Sequence, residues 1–169
     1  MITVGVVIDV PEPYAARIRE ARQAWGDPEA ETIPAHVTIV APVSVDAEEM
    51  PALEQHLEQA LVGCAPFRMR LRGTGTFRPV SPVVFLTVAE GISACEGLER
   101  GIRCGPWAID LRFPYHPHVT VAFDLPDEVL DYASTVLEDF QADFTVDAVR
   151  LYELAEDGWL ARATYPLLG

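Results

Sequence analysis

The sequence predicts a duplicated α+β fold, and three observations carry that prediction. Strand-like and helix-like segments alternate along the chain with no low-complexity linker. Their order repeats after about half of the 169 residues, and one tetrad, "HVTI" from His36 to Ile39, returns as "HVTV" from His118 to Val121. The tetrads lie 118 − 36 = 82 residues apart. Identity between the halves is otherwise poor, so a duplication rests on element order and the tetrad.

"ITVGVVIDV" is a β-branched strand. "PEPYAARIREARQAWG" spaces Tyr14, Ile18, Ala21 and Trp25 as one helical face, with Pro near its start and Gly26 after its last turn. "HVTIVAPVSV" is the next strand. "MPALEQHLEQALVG" places Leu53, Leu57, Ala60 and Leu61 on one face before Gly63. "FRMRLRGTGTF" alternates apolar residues with Arg68, Arg70 and Arg72 at period two, as a strand requires. After the turn "RPVSP" come a strand, "VVFLTVA", and a weaker helix around "SACEGLERGI", whose Gly97 and Gly101 oppose helix formation. A loop, "CGPWAIDLRFPYHP", delivers the strand "HVTVAF". "LPDEVLDYASTVLEDFQ" reads as a helix with Val129, Tyr132, Val136 and Phe140 along one face and acidic residues early, where the helix dipole favours them. Two strands, "FTVDAVRLYEL" and "GWLARATYPLL", close the chain. The expected organisation is a single domain, 1–169, made of two lobes of roughly 1–80 and 81–169 with strand exchange allowed between them.

Composition narrows the function. Half of the chain is hydrophobic, enough for a sizeable core. The longest apolar run near the N-terminus is far shorter than the ~20 residues of a membrane helix, and no basic segment precedes it, so a cytoplasmic protein is expected, without a membrane partner. Cys64, Cys95 and Cys104 form an odd set without a CxxC pair, which argues for reduced structural thiols. The 12 basic residues are all Arg, against 26 acidic ones, for a formal charge of −14. That balance opposes binding to long double-stranded nucleic acid, because counterion release needs clustered cations. A small phosphorylated ligand or a nucleic-acid end remains compatible if arginines converge locally.

The tetrads bear the chemistry. In a strand, residues two apart share a face, so His36 with Thr38, and His118 with Thr120, point one way while the intervening valines point the other. Imidazole titrates near pH 6.5, so one histidine accepts a proton from water while another donates one to a leaving oxygen near neutrality. Thr hydroxyls can donate to phosphate oxygens. A core histidine bonded to a neighbouring Thr explains a single HxT equally well; a matched pair is harder to explain that way.

Two HxT tetrads with a following hydrophobic residue, half a chain apart, resemble the 2H phosphoesterase superfamily. The resemblance is to its bacterial branch of 2′-5′ RNA ligases and RNA 2′,3′-cyclic phosphodiesterases. It covers nearly the whole chain by element order, but its specific part is the tetrads. It implies two antiparallel sheets flanked by helices around a central groove, with no metal and no cofactor. It also implies His36 and His118 as the catalytic pair and Thr38 and Thr120 as phosphate binders. The implied substrate is a small cyclic phosphodiester or RNA terminus, hydrolysed by water to a 2′-phosphate, with His118 as base and His36 as acid. The two near-identical tetrads do not themselves assign those roles. A non-catalytic module binding nucleotides or RNA ends in the same groove, or ligase activity, is the alternative. The protein is expected to be a monomer.

Further residues surround this set. "HPH" invites a metal reading, but no HExxH, CxxC or acidic cluster supplies a third ligand, so His116 is taken as a phosphate contact at the site edge or a solvated loop residue. Arg78, after a Gly-rich turn, is the preferred cationic phosphate contact, and Phe77 and Tyr115 are candidate base-stacking rings. Arg68, Arg70 and Arg72 form either an exposed strand face or a cationic groove wall. His56, beside Gln55 and Glu58, is expected at the surface.

Overall fold

A computed structural model describes residues 1–169 and contains eight strands and four α-helices. The first half runs β1 (Ile2–Asp9), α1 (Tyr14–Ala24), β2 (His36–Val45), α2 (Met50–Leu61) and β3 (Phe67–Thr76). It continues through β4 (Val83–Glu90), α3 (Ile92–Ile102), β5 (His118–Phe123), α4 (Asp127–Val136), β6 (Gln141–Val146), β7 (Ala148–Ala155) and β8 (Gly158–Pro166). The strands form two four-stranded antiparallel sheets, in the orders β2-β1-β7-β8 and β5-β4-β3-β6.

The two sheets are built alike. Each tetrad opens an edge strand, β2 or β5, and each edge strand pairs with the first strand of its own half, β1 or β4. The chain length does not divide as the sheets do: β3 precedes residue 80 but belongs with β4, β5 and β6, and β7 and β8 return to β1. One hydrophobic cluster of 36 buried residues draws on every strand and all four helices. Its apolar face is the one the sequence periods indicate: Val37 and Ile39 on β2, and Val119 and Val121 on β5, are buried while the tetrad His and Thr residues are half-exposed.

Most helix faces are the expected ones. Ile18 and Trp25 bury α1, with Tyr14 and Ala21 beside them, and Leu53, Leu57 and Leu61 bury α2. Despite Gly97 and Gly101, α3 forms, because Cys95, Leu98 and Ile102 lock one side of it into the core.

The structure corrects two expectations in the second half. On α4 the buried residues are Leu130 and Ala133, followed by Leu137 just past its end, whereas Tyr132 and Val136 are exposed. The helix stops at Val136, so Phe140 lies in the core by a separate route and cannot mark the helix face. The stretch "FTVDAVRLYEL" is not one strand but the end of β6 and most of β7, separated at Asp147, where the chain crosses from one sheet to the other.

Edge strands β2 and β5 approach each other along the seam between the sheets. Two side chains tie that seam. Trp25, beyond α1, donates its indole N–H to the Val121 carbonyl at 3.2 Å, and Tyr115 donates its hydroxyl to the Thr38 carbonyl at 2.8 Å. Each tie satisfies a buried donor against the opposite half's tetrad strand. No helix is long and apolar enough to cross a membrane.

Candidate active site

Both tetrad histidines sit at the first residue of their strand, so the chain entering each strand lies beside the ring. His36 Nδ1 is 2.7 Å from the carbonyl of Pro34, and His118 Nδ1 is 2.6 Å from the carbonyl of His116. A carbonyl only accepts, so each bond assigns the Nδ1 proton and leaves Nε2 as the free nitrogen of the neutral ring. The same tautomer is imposed twice, by the same backbone offset. Thr38 and Thr120, two residues on, share each imidazole's strand face and are half-buried.

Two cavities meet along the seam. A small one, about 70 Å³, is lined by His36, Thr38, Asp9, Tyr152 and Trp159 among others. A larger one, about 660 Å³, is lined by His118, His116, Phe77 and Tyr115 and again by Thr38. Val40 and Pro42 also line both, so the middle of β2 forms the common wall.

The surroundings of the two rings differ. On β1, Asp9 is the residue directly opposite His36; on β4, the residue opposite His118 is Thr87. The Asp9 carboxylate accepts hydrogen bonds from the Tyr152 hydroxyl at 3.1 and 3.2 Å and pairs with Arg150 at 3.1 Å. Burial pushes its carboxyl above the ordinary carboxylate range, against the pull of Arg150, the Tyr152 bond and His36. His118 has no carboxylate there. It lies against two aromatic rings instead, edge-on to Phe77 at 5.0 Å and tilted to Phe85 at 5.3 Å, and these two rings pack on each other at 4.5 Å.

Burial lowers both histidines below their ordinary value, which favours the neutral rings. At His36 the Pro34 carbonyl and Asp9 oppose that effect, while Arg22 adds to it. At His118 only the His116 carbonyl opposes it, and the His116 and His36 charges add to it. The charge of the His36 imidazole is therefore felt at His118, as expected for rings flanking one seam.

The remaining expected site residues are placed unevenly. Phe77 stands beside His118. The His116 ring is exposed, 5.9 Å from His118 and edge-on to Phe77 and Phe85 at 5.5 and 5.4 Å, and its main-chain carbonyl holds His118 Nδ1. Tyr115 lines the larger cavity while its hydroxyl is committed to β2, and burial holds that phenol well above its usual range, so it stays a donor. Arg78 is not brought to either histidine. Its guanidinium pairs with Asp131 at 2.9 Å and Asp127 at 3.7 Å, in a separate surface depression with Pro79 and Pro82. Arg68 makes a two-pronged contact with Asp143 at 2.8 and 2.6 Å, and Arg70 pairs with Asp143 and Glu90. His56 is half-buried, bonded through Nε2 to the Ile102 carbonyl at 3.0 Å, which corrects its expected surface position. No three His, Cys, Asp or Glu side chains converge to hold a metal ion.

Sequence reasoning missed Asp9, Tyr152 and Phe85, and it missed the two carbonyls. Asp9 sits two residues before a Pro at a strand end, a position with no local signature of its own. A main-chain acceptor leaves no trace in side-chain identity, so Pro34 and His116 do the same work with unrelated residues.

Comparison with known proteins places this arrangement. The family model of the 2′-5′ RNA ligase superfamily matches residues 10–158. A Halalkalibacterium halodurans protein named "Putative phosphoesterase" is 28% identical over 166 residues, covering 96% of each chain. One of the same name from Geobacillus kaustophilus is 27% identical over 164 residues, covering 95% of this chain and 94% of that one. The crystal structure of Escherichia coli LigT complexed with 3′-AMP superposes with a TM-score of 0.72 at 21% identity, covering 99% of both chains. The same protein complexed with ATP gives 0.69 at 23%, again covering 99% of both. These likenesses establish the shared fold.

Proposed function

The chain belongs to the 2′-5′ RNA ligase superfamily, and from that premise we propose that it is a metal-independent phosphodiesterase. Its reaction is hydrolysis of 2′,3′-cyclic phosphodiesters to 2′-phosphates. The observation that carries this reading is the matched pair of Nδ1 to carbonyl bonds at His36 and His118, which presents a free Nε2 from each ring. Relatives named as phosphoesterases, and nucleotides bound to the like-folded LigT, support the substrate class.

In this reading the His118 Nε2 lone pair takes a proton from water as the water oxygen attacks phosphorus. For turnover His36 takes up a second proton, on Nε2, which the Asp9 carboxylate favours, and gives it to the departing 3′-oxygen as the bond from phosphorus to that oxygen breaks. Thr38 and Thr120 hydroxyls donate to the non-bridging oxygens, where negative charge grows in the transition state. The cycle ends with His118 protonated and His36 neutral, and exchange with solvent resets both. Asymmetry of the surroundings supports these roles: the Asp9 carboxylate favours the charged ring at His36, whereas burial against Phe77 and Phe85 and the His116 charge favour the neutral ring at His118.

Turnover of 2′,3′-cyclic nucleotides in the presence of EDTA is the test. His36→Ala and His118→Ala are each expected to remove most activity, a loss of ~10² or more per general acid or base. Retention of the wild-type rate by both variants refutes the assignment. Ligand binding without any turnover would instead mark a binding module.

A further inference from the structure

We propose that the substrate's non-reacting body is uncharged and largely apolar or aromatic, the size of a single nucleoside, and that the end of a polynucleotide chain is refused. This rests on the phosphodiesterase reading above and names the substrate class of the same site.

The larger cavity, which His118 and Thr38 line, holds about 660 Å³, within the size range of a site for one small molecule. Its apolar lining includes Ile39 and Val43 of β2 and Ile109, Leu111 and Phe113 of the segment before β5. Its charged lining residues are Glu99 and Arg103, and they cancel: Arg103 Nε donates to the Glu99 carboxylate and its Nη1 to the Ile109 carbonyl at 3.1 Å. A body placed there meets apolar side chains and a closed ion pair.

A polynucleotide needs something else. Phosphates beyond the reacting one draw most of their non-specific affinity from free cations along the path of the chain. The chain has 12 arginines, no lysine and a formal charge of −14. Arg68, Arg70, Arg78, Arg103 and Arg150 are all neutralised by carboxylates. Arg17, Arg72, Arg100 and Arg112 have no such partner, but none of them lines either cavity, and Arg17 and Arg112 stack over Phe140 and Phe113 at 4.8 and 5.2 Å. An RNA chain leaving the groove would therefore run over a surface that repels it, whereas a cyclic mononucleotide brings one negative charge, which the reacting centre itself takes up.

The experiment compares kcat/KM for a 2′,3′-cyclic mononucleotide with that for a trinucleotide ending in a 2′,3′-cyclic phosphate, both in EDTA, at about 20 and 200 mM salt. The monomer is expected to be preferred at least tenfold at low salt, and the trinucleotide to gain with salt as repulsion is screened. Val80→Arg, at an exposed lining position, is expected to raise the trinucleotide-to-monomer ratio. Preference for the trinucleotide with a loss on adding salt overturns this inference and leaves the phosphodiesterase reading intact. If neither substrate turns over, that reading fails. Calorimetry on the His36→Ala/His118→Ala variant, with the nucleoside 2′-phosphate and the trinucleotide 2′-phosphate, then decides the inference separately. Tighter binding of the monomer supports it, and equal or tighter binding of the trinucleotide overturns it.

Discussion

Gly75 on β3 lies under the Phe85 ring, and this contact offers a lever on His118 that touches neither histidine. A Cβ at Gly75 would stand 2.7 Å from Phe85 Cζ and 2.8 Å from Cε2. Carbon contacts are optimal at ~3.5 Å or more, so Gly75→Ala forces the ring back by about 0.8 Å. The ring has little free space: Phe85 is only 6% exposed and packs against Phe77, His116 and His118. Its displacement passes to the His118 imidazole. Overpacking of this kind costs ~1–3 kcal/mol, and at ~2–4 °C per kcal/mol for a chain of this size the melting temperature should fall by ~2–12 °C. A shift approaching 1 Å in a catalytic group costs up to ~10²-fold, so kcat/KM toward a 2′,3′-cyclic mononucleotide should fall ~10–100-fold at 25 °C, where the variant is still folded. Thermal unfolding and steady-state kinetics on the same preparation check both numbers. A normal kcat/KM accompanied by the expected fall in melting temperature would refute the argument, because the ring would then have relaxed without moving His118.

Other predictions test the rest of the site. Asp9→Asn removes the charge that favours protonated His36, so the alkaline limb of the pH–rate profile, set by the acid, should move to lower pH; movement of the acidic limb alone would reverse the assigned roles. Arg78→Ala should leave kcat/KM within about twofold and cost no more than ~1 kcal/mol in urea unfolding, since the side chain is spent on Asp127 and Asp131; a large loss of activity would restore it to the site. Both tetrad histidines titrate below their unfolded value of 6.5 in the folded protein. The unfolded chain therefore binds protons first as pH falls below about 6.5, and their contribution to stability is lost on acidification. His36→Asn/His118→Asn should flatten that part of the stability curve relative to wild type, as measured by denaturant unfolding between pH 7 and 5; an unchanged slope contradicts the burial effect.

What the sequence determined by itself is whatever is local and periodic. The strands and helices follow from spacing at two and at three to four residues. The catalytic candidates His36, Thr38, His118 and Thr120 follow because a strand fixes which neighbours share a face and because the tetrad occurs twice. Tertiary structure decided everything that depends on distant segments meeting. The face of α4 was misread because the sequence does not show that the helix ends at Val136, and Asp147 reads as part of a strand until β6 and β7 are seen in different sheets. Asp9 becomes part of the site only when Tyr152, 143 residues away, and Arg150 close on its carboxylate beside His36. The arginines show the same limit from the other side. Their number and sign are plain in the sequence, but whether each is free for a phosphate or spent on a carboxylate is a matter of pairing across the sheets, which long-range folding alone sets.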